Sequence, residues 1–109
     1  MANTIKVLGQ QNPTAATLTT LYTVPGSTST VTSTITVCNR SATATSFRIA
    51  VRPGGAAISN EHYIYYDVPI AGNDTFTATI GMTLATTDVV SVYATLATLS
   101  FSLFGQEST

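Results

Sequence analysis

Charge is what this chain has least of: Lys, Arg, Asp and Glu make up 8% of its residues, against about 25% in ordinary globular domains. Four basic and five acidic side chains leave a net charge of −1. That is too few cations to neutralise the several phosphates that nucleic-acid binding requires, so no nucleic acid is expected as a partner. Cysteine occurs once, at Cys38, which excludes an intrachain disulfide and fits synthesis in a reducing cytoplasm. Histidine also occurs once, at His62, so neither a structural zinc set nor a Cys–His nucleophile pair reaches a credible ligand or triad count. No Gly-x-Ser-x-Gly elbow is present, and Pro53-Gly54-Gly55 lacks the lysine and following helix of a phosphate-binding loop. No catalytic, metal or cofactor residues are therefore assigned, and no enzyme is expected. No run of about 18 apolar residues exists to cross a membrane as a helix, and Met1 to Gln11 (MANTIKVLGQQ) does not read as a secretory signal.

What the chain has instead is hydroxyl groups. Roughly three residues in ten are Thr or Ser, and many alternate with β-branched or aromatic residues, the period of a strand rather than a helix. A domain with so neutral a surface is prone to associate, and much of that surface is better placed against other protein than against water. The chain reads as part of an assembly. Its 109 residues suit one core and one domain, residues 1–109. Turn signals recur every 8 to 12 residues or so, at Pro13, Pro25-Gly26, Asn39-Arg40-Ser41, Pro53-Gly54-Gly55, Gly72-Asn73-Asp74, Gly81, Thr86-Thr87-Asp88 and Gly105. That spacing predicts an all-β fold, a single small antiparallel β-sandwich (jelly-roll or Ig-like) of about eight strands.

The clearest segment is Ser29 to Cys38, where Val31, Ser33, Ile35 and Val37 share one parity, expected to face the core, and Thr30, Thr32, Thr34 and Thr36 share the other. Ser46 to Arg52 turns Phe47, Ile49 and Val51 inward and Arg48, Ala50 and Arg52 outward. Glu61 to Val68 sets Ile64, Tyr66 and Val68 against Tyr63, Tyr65 and Asp67. Asp74 to Ile80 places Phe76, Ala78 and Ile80 beneath a threonine face. Thr4 to Gly9, Leu18 to Val24, Asp88 to Ala94 and Thr98 to Phe104 complete the set, and Leu99, Phe101 and Leu103 share a parity in the last. Residues 105–109 read as a short polar tail that frays or is ordered by a neighbouring subunit. Asp74 and Asp88 read as turn residues that bond their own backbone.

One group of side chains has binding potential. If the fourth and fifth segments are hairpin neighbours, Arg48, Arg52, His62, Tyr63 and Tyr65 gather, and Arg and Tyr are enriched at the centres of interfaces. The cluster is either a docking patch for another protein or a glycan, or an ordinary mixed sheet face.

Three phrases, VCNRSA, FRIAVRPGGA and YYDVPI, with the closing run DTFTATIGMTLATTDVVSVYA, resemble those of short virion structural proteins of tailed bacteriophages, cyanophages among them. The resemblance covers nearly the whole chain. It implies a β-sandwich made in the host cytoplasm and built into the particle, with no catalytic residues. The favoured expectation is a capsid cement or decoration protein, a homo-oligomer (trimer or dimer) that binds the major capsid protein or other virion proteins. The alternative is a tail-fibre, baseplate or receptor-recognition component that binds a host glycan.

Overall fold

The computed structural model describes residues 2–109. Nine strands follow one another: β1 (Asn3–Gln11), β2 (Thr19–Thr23), β3 (Ser29–Asn39), β4 (Thr45–Arg52), β5 (Tyr63–Ile70), β6 (Thr75–Ala78), β7 (Thr83–Leu84), β8 (Val89–Ala94) and β9 (Leu99–Ser108). Two single 3₁₀ turns, Pro53–Gly55 and Asn60–His62, lie between β4 and β5. All pairings are antiparallel. One sheet has the order β1-β9-β3-β6, with β7 also on β3, and the other has the order β2-β8-β4-β5. Because β6 and β7 share one position beside β3, the nine strands fill eight places. β4 and β5 form the innermost pair. β3 with β6 and β7, then β2 with β8, then β1 with β9, wrap around that pair in turn, and the nested set is folded across two sheets. This is jelly-roll wiring, which decides between the two sandwich forms the turn spacing allows.

The core lies between the sheets. Ile35, Val37, Phe47, Ile49, Val90, Val92, Ala94, Leu99, Phe101 and Leu103 are almost wholly removed from water. Phe47 sits at its centre, with ring centroids 5.0 Å from Phe76 and 6.1 Å from Phe101. Tilted and edge-on aromatic pairs of this kind add to what their buried area already contributes.

The expected inward face of the third segment holds for only half of its length. Against β9, Thr32 pairs with Gly105 and Thr34 with Phe104, so Ser33 is an extra residue in the ladder, a β-bulge. A one-residue insertion reverses the side-chain alternation. Ile35 and Val37 point into the core beyond the bulge, whereas Thr30 and Thr32 are buried before it and Val31 is exposed. Gly105 admits this irregularity, since a Cβ there would stand 2.5 Å from the Val31 carbonyl oxygen.

The hydroxyls buried along β3 are satisfied, whereas Thr45 Oγ1 and Thr98 Oγ1 are buried without a partner. Thr32 Oγ1 donates to the Ile80 carbonyl at 2.9 Å and accepts from the Met82 N–H at 2.9 Å, tying β3 to the chain between β6 and β7. Thr30 Oγ1 meets the Tyr22 hydroxyl at 2.8 Å, and that hydroxyl donates to Glu107 at 2.5 Å. Lys6 Nζ lies 3.4 Å from the other oxygen of the same carboxylate. The sandwich interior thus has an apolar end and a polar end, divided by the bulge.

Residues 105–109 are not a polar tail. β9 runs to Ser108 between β1 and β3, and beyond it Ala2 and Thr109 exchange backbone bonds of 3.2 and 2.9 Å. Polar composition hid the strand because its side chains serve the polar end of the interior, where Glu107 needs partners rather than solvent.

Candidate interaction face

The outward face of the β2-β8-β4-β5 sheet carries an arginine clamped between aromatic rings. β4 places Arg48 opposite Tyr93 of β8. On its other side β4 meets β5, where Phe47 pairs with Val68 and Ile49 with Tyr65. Two residues of β5, Tyr66 and Asp67, therefore oppose Arg48 alone, as a bulge requires. Asp67 adopts a left-handed conformation, φ 51°, which aspartate tolerates better than most side chains.

The bulge brings together two side chains that strict alternation would send to opposite faces. The Arg48 guanidinium carbon lies 4.2 Å from the Tyr66 ring centroid and 4.4 Å from that of Tyr93, a double cation–π contact. Its Nε donates to Asp67 Oδ1 at 2.6 Å and its Nη2 to Oδ2 at 3.4 Å. The Asp67 hydrogen bond raises the Arg48 pKa above its ordinary value. Tyr63 extends the array, its ring perpendicular to that of Tyr66 with centroids 4.9 Å apart. Asn60, Tyr63 and Tyr66 line an open hollow of about 460 Å³, and 56% of Tyr66 is solvent-exposed.

The five residues singled out from sequence divide here. Arg48 and Tyr63 belong to the array, joined through Tyr66. Arg52 shares the outward face but is engaged locally: its Nε donates to the Ser91 side chain, Oγ, at 3.1 Å and its Nη1 to the Gly55 and Ala56 backbone carbonyls at 3.2 and 2.9 Å. It fastens the turn after β4. His62 closes the second 3₁₀ turn, with Nδ1 accepting from the Ser59 N–H at 3.1 Å. Tyr65 faces the other way, against the core, 5.3 Å from Phe76. Sequence reasoning missed Tyr66, Asp67 and Tyr93 as members. Strict alternation puts Tyr66 and Asp67 on opposite faces, which only the bulge reverses, and the place of Tyr93 depends on β8 lying beside β4, a non-local fact.

The expected turn roles of two acids also take form. Asp74 Oδ1 accepts from the Thr75 N–H at 2.8 Å, and Asp88 accepts from the Gly54 and Ala85 N–H groups, each at 2.9 Å.

No protein-family model, curated protein or solved structure matches this chain. Its class rests on its own wiring, a small two-sheet jelly roll with an aromatic–arginine array on one outer face.

Proposed function

We propose that this chain is a structural protein of a tailed-phage particle, a capsid cement protein that docks on the major capsid protein through the outer face of the β2-β8-β4-β5 sheet. The carrying observation is the Arg48 array. A half-exposed tyrosine and a guanidinium held within 4.4 Å of two tyrosine ring centroids have the composition of an interface centre rather than of a solvated sheet. Two of the three virion-like phrases, FRIAVRPGGA and YYDVPI, contribute Arg48, Tyr66 and Asp67 to this array. The neutral surface supports the same reading, because a cement protein made in the host cytoplasm stabilises a shell by binding its assembled form. The role is structural, not catalytic.

The test is the copy number of this protein relative to the major capsid protein in purified parent particles, measured by quantitative mass spectrometry, alongside reattachment of Arg48→Ala protein to stripped particles. A simple ratio near one, with reattachment lost, is expected. A ratio many times smaller, or unchanged reattachment and particles equally heat-stable without the protein, would sink the proposal.

One observation favours a second reading, a glycan-binding part of the tail. The hollow between Asn60, Tyr63 and Tyr66 offers ring faces and an amide, the groups that stack on and hydrogen-bond a sugar. Glycan-array binding that disappears in Tyr66→Ala, together with the low copy number, would select it.

A further inference from the structure

The jelly roll has four edges, and three of them are guarded. β5 is bulged twice, holds Asp67 in the left-handed region and carries Pro69. β6 and β7 are short and separated by the irregular Thr79–Met82 stretch, which is tied to β3 through Thr32. β2 has five residues, is bulged at Leu21, and meets β1 so closely that a Cβ on Gly9 would stand 2.1 Å from the Leu21 carbonyl oxygen. Bulges, proline, short length and covering chain are the devices that keep an edge from pairing with another molecule.

The fourth edge lacks them. Between Asn3 and Val7, β1 pairs residue for residue with β9 and is free of bulges until Leu8. This stretch contains no proline, and its one charge, Lys6, is already engaged by Glu107 at 3.4 Å. The Ala2–Thr109 backbone exchange secures its start, so the edge is held straight. Its outward side chains are Asn3, Ile5 and Val7, and Ile5 is 84% exposed, more than any other large hydrophobic residue among those described. Ile5 stands in one row with Gln106 of β9 and Val31 of β3, beside a hollow of about 420 Å³ lined by Ile5, Val31, Thr32, Ser33, Gly105 and Gln106.

We infer that the Asn3–Val7 edge of β1 pairs with the same edge of a second copy, antiparallel about a two-fold axis through Ile5, joining the two β1-β9-β3-β6 sheets into one. Open backbone groups on a straight edge are complemented by another extended strand, and the strand on hand in equal supply is this one. About that axis Ile5 faces Ile5 of the second copy and Asn3 faces Val7, so each exposed apolar side chain gains a cross-strand neighbour. The contact is isologous and closes at two subunits, unlike an open-ended edge. Electrostatics do not oppose it, since the whole chain carries a net charge of −1 and the only charge on this stretch is paired. The opposite sheet is untouched, so the Arg48 array stays free in both copies. The inference therefore does not depend on what that array binds.

The test is analytical ultracentrifugation of the full chain, with cysteine cross-linking to read the register. The native chain is expected to dimerise, and Ile5→Lys to weaken the dimer at least about tenfold with an unchanged thermal melt, because so exposed a side chain contributes to association rather than to folding. In a Cys38→Ser background, Ile5→Cys is expected to oxidise to a covalent dimer, since directly opposed Cβ atoms lie about 4.5–5.5 Å apart. Val7→Cys alone should not, but should cross-link when mixed with Asn3→Cys. A native chain that stays monomeric at every concentration, an Ile5→Lys dimer as tight as the native one, or self-linking of Val7→Cys in preference to Ile5→Cys would each overturn the inference.

Discussion

Tyr22 is the residue whose chemistry is most altered by folding. Its phenol pKa is pushed up to about 12, first by burial and then by its hydrogen bond to the Glu107 carboxylate, while the Thr30 hydrogen bond acts the other way. A pKa above the unfolded value of 10.0 means that the folded state holds the proton more tightly. The stability this supplies is complete below about pH 10 and is lost as pH rises towards 12. Ultraviolet titration should show a late phenolate that is absent in Tyr22→Phe, and the melting temperature should fall across the same window. Arg48 makes a different prediction. Arg48→Lys keeps the charge but loses the planar stack and the two-pronged contact with Asp67. The array is partly exposed, so the thermal melt should register at most about 1 kcal/mol, whereas attachment to stripped particles should fall sharply. Equal losses in both measurements would make the array a folding element instead.

Among the strands, β3 shows how one residue reorganises a face. Before Ser33 its buried side chains are threonines bonded to β2 and to the chain around β7, and after Ser33 they are Ile35 and Val37. Removing Ser33 would restore simple alternation and force either the threonine half or the Ile35 half to turn outward. Deletion of Ser33 is therefore expected to abolish the cooperative melt, while Ser33→Ala, which keeps the residue count, should leave it nearly unchanged. Ile35→Ala leaves a cavity in the closed end of the core and should cost about 2–5 kcal/mol in denaturant unfolding. β9 gives the matching expectation at the end of the chain. Because its last residues are central in their sheet, truncation before Gly105 should prevent folding, an outcome a frayed tail would not produce. Strand existence was legible from alternation and turn residues in eight of the nine strands. β7 was not, since two residues carry no period.

For the molecule as a whole, every sheet neighbour except the β4–β5 pair is distant in sequence, so folding waits on long loop closures. Refolding by stopped flow is expected in the millisecond-to-second range of non-local β proteins, not in microseconds. Neutral composition and period-2 alternation determined, without any structure, that the chain is all-β, one domain, rich in hydroxyls and built from short strands, because those properties follow from each residue's own chemistry and its near neighbours. The phrase FRIAVRPGGA likewise marked Arg48 and Arg52 as sharing a face. The tertiary structure alone decided that the wiring is a jelly roll, that Thr30 and Thr32 are interior, that residues 105–108 form a central strand, and that Tyr66, Asp67 and Tyr93 converge on Arg48 while Tyr65 turns away. The physical reason is non-local strand pairing, which sets the sheet order, the place of β9 and the neighbour of Arg48, and which also decides where bulges fall. A bulge shifts the register by one residue and exchanges the two faces of a strand, and whether a bulge forms depends on the partner strand, which in the β1–β9 ladder lies 105 residues away where Asn3 meets Ser108.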